Sequence, residues 1–224
     1  MMNQTHTKPC PLQAALWPVL GLLLLLLLWS VGVRWLQQSM PMAAMLAPLP
    51  TARTLLQLLT EQQLTGHILV SLQRVAVGLA GAVCIGVPVG LWLGLSRRAE
   101  AISSGAFQLL RMISPLSWML IVVMLLGIGN APIYFLLIFA AVWPMVMNTA
   151  AGVRAIQPAW LQLGHSLSAS RREMLFKIIL PATIGAILTG LRLAIGIVWI
   201  VLVPCEMLGV SSGLGYFILD TRER

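Results

Sequence analysis

Charged side chains are scarce in this sequence. Asp, Glu, Lys and Arg together make up 9% of 224 residues, and only 6 of these are acidic. Soluble globular domains carry roughly a quarter charged residues, so the composition excludes that class. Cysteine is equally sparse: Cys10, Cys84 and Cys205 lie far apart, with no metal-ligand spacing and no disulfide framework. No GxxxxGK loop occurs, so no nucleotide is bound by that route. HExxH and CxxC are also missing, and His6, His67 and His165 fall in separate segments. Neither an enzyme active site nor a cofactor or metal site is read from the residues. The net charge of +8 raises the question of nucleic acid. The basic residues are scattered between apolar blocks without a patch of stacking aromatics, which excludes that partner.

Apolar residues are what the chain has in quantity, 59% of the total, with a mean hydropathy of +0.93. This predicts an all-α, polytopic transmembrane bundle of about five spans, forming one membrane domain over residues 1–224. Residues 14–33 are an uncharged run that includes seven consecutive leucines from Leu22, long enough to span. A cleaved signal peptide is the rival reading; the run is long for a signal core, and an uncleaved first span is expected. Pro41, Pro48 and Pro50 break the segment that follows, and residues 51–63 read as a short amphipathic helix. His67, alone at a span edge, reads as solvated.

The second span is expected over 68–95, with Arg74 near one end. Gly78, Ala82, Gly86, Gly90 and Gly94 recur every four residues, which predicts a seam for another helix. A short loop, 96–104, leads to a third span over 105–126, bent at Ser114-Pro115. After a Gly/Asn/Pro turn at 127–132 comes a fourth span over 133–151, interrupted at Pro144. Asn148, at its end, is expected to bond a neighbouring helix, with a place on a translocation pathway as the alternative. The fifth span, 182–203, opens after Pro181 and carries a second four-residue series: Ala182, Ala186, Gly190, Ala194. Charge facing lipid at mid-depth costs ~2.5–3.5 kcal/mol. Arg192 and Glu206 are therefore both expected to face the bundle or a wet pathway, too far apart to pair with each other. With an inner N-terminus, Lys8, Arg97, Arg98, Arg154, Arg171, Arg172 and Lys177 lie inside, against Arg34, Arg53, Arg222 and Arg224 outside. The bias agrees with that orientation.

Between the fourth and fifth spans, residues 152–181 form the most polar stretch of the second half. Residues 160–182 read WLQLGHSLSASRREMLFKIILPA: Leu161, Leu167, Leu175, Ile178 and Ile179 give an apolar side, and Arg171, Arg172, Glu173 and Lys177 a charged one. One or two short amphipathic helices on the membrane surface are predicted.

The order of residues in LSASRREMLFKIILPATIGAILTGLRLAIG resembles the cytoplasmic signature loop, and the helix after it, of the nitrate/sulfonate/taurine permeases of ABC importers. The resemblance runs from about Gly66 to Arg224. Ala169-Ser170-Arg171 and Leu180-Pro181 match the family's pattern. Its usual Glu-Ala-Ala falls on Gln162, Leu163 and Gly164, and its Gly on Ser168. The resemblance implies an inner-membrane permease subunit in a bacterial cell, itself not an enzyme, that passes a small anion such as nitrate, a sulfonate or taurine. It implies that a separate ATP-binding subunit docks on a coupling helix at Gln162, Gly164, Ser168, Ala169, Ser170 and Arg171. The further partners it implies are an outer substrate-binding protein, periplasmic or lipid-anchored, a second permease subunit as a homodimer, and membrane lipid. An arginine at the position of Arg192 is usual there for varied substrates, which points to a structural role. Arg192, Glu206 and Asn148 are the pathway candidates. The alternative class is a secondary transporter or channel subunit driven by an ion gradient. Family members continue past the Gly213-Leu214-Gly215-Tyr216 segment into one more span, so the chain reads as a permease short of its last helix, with an outer C-terminus.

Overall fold

A computed structural model describes residues 11–38, 46–60 and 63–223. It separates into two compact units, residues 1–63 and 64–224. The first unit contains α1 (Pro11–Gln37) and α2 (Pro48–Thr60). The apolar stretch of α1, Pro18–Gln37, is exposed along almost its whole length. Uniformly apolar and unburied, it is a surface suited to lipid. Helix α2 matches the short helix expected from the sequence, begun at its first proline.

The second unit is a helical bundle. Its elements are α3 (Gln63–Leu95), α4 (Arg97–Met112), a 3₁₀ turn (Pro115–Trp118), α5 (Met119–Leu126), α6 (Asn130–Arg154), α7 (Pro158–Ser166), α8 (Arg171–Glu173), a π turn (Met174–Ile179), α9 (Leu180–Gly209) and α10 (Leu214–Glu223). Among the described residues, four helices are long and apolar enough to cross a membrane: α1, α3, α6 and the continuous stretch Arg171–Gly209.

The remaining expected span differs in kind. Ser96 caps α4, accepting a hydrogen bond from the Ala99 N–H at 3.3 Å. The supposed loop 96–104 is therefore already helix. This helix stops where Ile113 and Ser114 adopt extended backbone (ψ 122° and 127°), because the Pro115 ring disfavours helical geometry in the residue before it. A 3₁₀ turn and the short α5 complete the stretch, so the bend is a break. Gly127 and Gly129 carry φ of 79° and 143° in the turn before α6, as the Gly/Asn/Pro signal foretells.

Helix α6 lies at the centre. It runs through Pro144 without interruption, contrary to expectation, as proline within a packed membrane helix is tolerated when other groups meet the freed backbone. The first small-residue series faces it. A methyl group added at Gly86 would stand 2.5 Å from Met145 Cβ, and one at Gly90 2.6 Å from Thr149 Cβ. Ala82 is fully buried in the same seam. Three members of the second series also meet α6 or the core: Ala186 touches Gly152, Gly190 lies against Asn148 and the Pro144 carbonyl, and Ala194 is fully buried. Ala182, expected to belong to the seam, is exposed and lines a groove instead. Apolar burial gives little drive between helices in lipid. Close backbone approach and dispersion supply the cohesion, and small residues permit both. The core around Leu136, Leu137, Met145, Val198 and Leu202 fills the space between these seams.

Candidate functional site

Two polar assemblies and one cavity occupy three levels of this bundle. The first assembly is a helical hairpin built by residues 158–179. Helix α7 presents its Gly164 to the π turn. A Cβ there would lie 2.6 Å from Met174 Cε and 2.8 Å from Ile178 Cδ1, so the glycine lets the two arms close with these flexible side-chain ends packed against its Cα. The Ala169 N–H donates to the Gly164 carbonyl at 3.0 Å, which closes the tip. Ser168, at that tip, is the one non-glycine residue with positive φ among those described, at 50°. This left-handed conformation is unfavourable for a residue with a Cβ. The family's glycine falls on that same position.

Ser170 starts the next helix. Its Oγ accepts from the Glu173 N–H at 3.3 Å, and its own N–H donates to Glu173 Oε2 at 3.1 Å, the reciprocal pattern of a capping box. Lys177 adds a bond to Glu173 Oε1 at 3.1 Å, one turn on. From Arg171 the chain stays helical to Gly209. The loop therefore does not extend to Leu180, and Pro181 does not start a helix. The π turn is the physical accommodation: the Leu180 N–H reaches back five residues to the Leu175 carbonyl. The wider turn comes immediately before a proline that has no N–H to continue the ladder.

Of the expected coupling residues, Gln162, Ser168, Ser170 and Arg171 are exposed, Ala169 is half-buried, and Gly164 is buried. An apolar groove of about 600 Å³ opens between the arms, lined by Trp160, Leu163, Leu167, Lys177, Ile178 and Pro181. At the same level Arg154, at the end of α6, pairs with Glu100 of α4.

The second assembly lies at the opposite end of the bundle and joins residues far apart in sequence. Glu206, expected near a pathway, is fully buried. It accepts from Arg74 Nη1 at 2.7 Å, from Ser71 Oγ at 2.8 Å and from the Gly215 N–H at 3.0 Å. Arg74, 2% exposed, donates further to Asn130 Oδ1 (3.0 Å from Nε, 2.7 Å from Nη2), to the Ser212 carbonyl (2.7 Å) and to Ser212 Oγ (3.2 Å). Every guanidinium N–H thus has an acceptor. Ser71 Oγ also receives the Leu214 N–H at 2.9 Å, and His67 Nδ1 receives the Gly213 N–H at 3.1 Å. His67 is therefore no free solvated side chain; its ring also lies beside Tyr216 and Phe217. The turn 210–213 owes its path to these contacts. Gly213 carries a φ of 117°, and the Glu206 carboxyl and Arg74 Nη1 fill the space where a side chain would stand.

The partner of Glu206 is thus Arg74, which the sequence reading left at the end of a span. Arg192 does not share the arrangement: its side chain is exposed on α9, rather than turned into the bundle. Asn148 bonds within its own helix, from Nδ2 to the Pro144 carbonyl at 2.8 Å, and not to a neighbouring helix as expected. It lines a cavity of about 380 Å³ halfway along α6, between the break at Ile113–Pro115 and α9.

A family model described as "Binding-protein-dependent transport system inner membrane component" matches residues 86–224. The nitrate import permease protein NrtB of Synechococcus elongatus is 36% identical over 161 residues, 72% of this chain and 58% of that protein. The bicarbonate transport system permease protein CmpB of the same organism is 37% identical over 166 residues, 73% of this chain and 59% of that protein. The taurine transport system permease protein TauC of Escherichia coli is 35% identical over 157 residues, 70% of this chain and 57% of that protein. The match thus covers less than two thirds of each relative's length. The agreement of spans, hairpin and these matches settles the family: this chain belongs to the inner-membrane components of binding-protein-dependent transport systems.

Proposed function

We propose that the chain is the permease subunit of an ABC importer for a small anion, with ATP hydrolysed by a separate subunit. The observation that carries this is the hairpin at 158–179. A short exposed helix is closed onto the foot of a membrane-crossing helix by Gly164 and by the Ser170–Glu173 cap. Such a projection has no use inside the bundle. It has the form of a docking element, with Gln162, Ser168, Ser170 and Arg171 exposed on it. The residues proposed to touch the ATPase are these four with Gly164 and Ala169.

Substrate is proposed to arrive from an outer binding protein and to pass between two copies of the permease. The relatives named above carry nitrate, bicarbonate and taurine in their names, and a small oxyanion is the substrate class proposed here. Arg154 with Glu100, and the surfaces around Arg171 and Arg172, support the reading that this basic end of the bundle faces inside. The Arg74–Glu206 end then faces outward. Glu206 is proposed as an anchor of the outer end, because its carboxylate is fully engaged; Arg192 and Asn148 remain pathway candidates.

The test is capture of the partner. Single cysteines at positions 165–172, in membranes of the native host, are expected to cross-link to an ATPase subunit. Ala169→Glu is expected to remove the cross-link while leaving insertion intact, since it forces a carboxylate into a packed contact. If no position in that stretch reaches an ATPase, the assignment is wrong. Uptake that an uncoupler stops and ATP depletion does not would point instead to a gradient-driven carrier.

A further inference from the structure

Helix α2 (Pro48–Thr60) has a face that neither polar assembly uses. At 3.6 residues per turn, Leu49, Ala52, Leu55, Leu56 and Leu59 gather into an arc of about 120°. Thr54, Gln57 and Thr60 lie off the arc. Arg53 stands at its margin, one turn after Leu49 and one turn before Leu56. All five residues of the arc are exposed, and no residue of α2 is buried. A helix of 13 residues is marginal in water by itself, because most helical stability comes from covering an amphipathic face. The arc therefore calls for an occupant.

Helix α1, in the same compact unit, indicates which one. Its stretch Pro18–Gln37 is apolar and almost wholly unburied. Those 20 residues rise about 30 Å, the thickness of the hydrocarbon core. Arg34 and Trp35 fall in the last turn, and both are side-chain types that settle at the level of the headgroups. Ten residues separate α1 from α2, a tether of at most about 35 Å, and the two helices approach each other. Helix α2 is thus held close to the level at which α1 leaves the bilayer. The sequence has no acidic residue before Glu61, so no carboxylate on either helix opposes the headgroup phosphates.

We propose that α2 is an interfacial helix. It lies in the plane of the membrane, with the arc from Leu49 to Leu59 among the upper acyl chains of one phospholipid leaflet. Arg53 lays its stem along the margin of the arc and extends its guanidinium to the phosphates. Docked in this way, α2 sets the depth at which α1 ends. The proposal needs a chain inserted in the membrane and is independent of the ATPase.

The full chain carries the test, with Cys10 and Cys84 replaced by serine and the fully buried Cys205 kept. Single cysteines are placed in turn at positions 52–59, given a nitroxide label, and the purified protein is reconstituted in phospholipid vesicles. Collision of each label with oxygen, which concentrates among acyl chains, is compared with its collision with a water-soluble nickel chelate. The oxygen-to-nickel ratio is expected to oscillate with the helical period. Leu55→Cys, Leu56→Cys and Leu59→Cys are expected to exceed Thr54→Cys and Gln57→Cys about fivefold. The three arc positions are read separately, so one variant that inserts poorly does not remove the comparison. A ratio that stays low and level along the helix puts α2 in water. An arc shielded from both reagents puts it against protein, whether another part of this chain or a second copy. Either result overturns the proposal. Failure to capture an ATPase overturns the importer reading and leaves this measurement readable.

Discussion

The two ends of the bundle use polar groups in opposite ways. At the hairpin end the bonds are local: Ser170 to Glu173 and Glu173 to Lys177 are exposed, and Ala169 to Gly164 closes the tip. At the other end, Arg74 and Glu206 are 132 positions apart and carry 2% and 0% side-chain exposure. A local capped turn can be displaced as a unit, because its bonds move with it. A buried ion pair between separate helices cannot separate without stranding charge in a low-dielectric interior. One end is therefore the one proposed above to contact another molecule, and the other holds its helices in register. The same sequence supplies both, with the most deeply buried polar contacts placed at the end away from the exposed hairpin.

The strongest way to break this contrast is at the buried pair. Arg74→Leu leaves Glu206 unpaired and is expected to destabilise the bundle by about 3–5 kcal/mol, read as lost resistance to denaturant in detergent. Adding Glu206→Gln to that variant is expected to recover part of the loss, because the remaining buried group is then neutral. No recovery would mean that the pair is not what holds this end. A smaller effect is expected at the central seam. Gly86→Leu overpacks against Met145 and should cost about 1–3 kcal/mol. Gly185→Leu is the control, since nothing lies within 4 Å of an added Cβ there, and it should be near neutral. Equal tolerance at the two positions would remove the seam argument.

At the hairpin end the effects should be smaller still. Ser170→Ala removes one half of the capping box and is expected to cost about 1 kcal/mol, with a reduced cross-linking yield to the ATPase and no change in insertion. Ser168→Gly relieves the positive φ and is expected to stabilise the hairpin by about 0.5 kcal/mol. Faster proteolysis at the tip after this change would show that the serine is favourable there. If Ser170→Ala proved as damaging as Arg74→Leu, the division between a displaceable end and a fixed one would not hold.

How much of this was readable beforehand follows from the range of the interactions. The Gly78–Gly94 and Ala182–Ala194 series declare themselves by spacing, and the structure places the first and, of the second, Ala186 and Gly190 against α6. The hairpin was found through its resemblance, although its cap is also written locally, as Ser-x-x-Glu at 170–173. The break at Ser114–Pro115 was read only as a bend, since a proline tells where a helix is weak and not whether its neighbours will hold it straight. Pro144 is the converse case, where packing overrode the same local signal. The ion pair was missed because sequence shows two solitary charges and no distance between them. A usable signal existed: Arg74 and Glu206 are lone opposite charges in apolar stretches, and each needs a partner. Arg192, on the same helix as Glu206, is too far along it to be that partner. The cavity beside Asn148 leaves no mark in the sequence, because a void is a property of packing.

The continuous helix from Arg171 to Gly209 has a mechanical consequence. Its 39 residues extend for about 58 Å at the rise of an α-helix, nearly twice the ~30 Å hydrocarbon core. A rod of that length has its foot in the exposed hairpin and its head, at Glu206, fixed to Arg74. No loop interrupts it, so displacement of the foot is carried as tilt or rotation of a single body and not lost in slack. With the head held, the largest excursion occurs at the foot and an intermediate one at Leu193, beside the cavity. The ion pair then serves as a fulcrum.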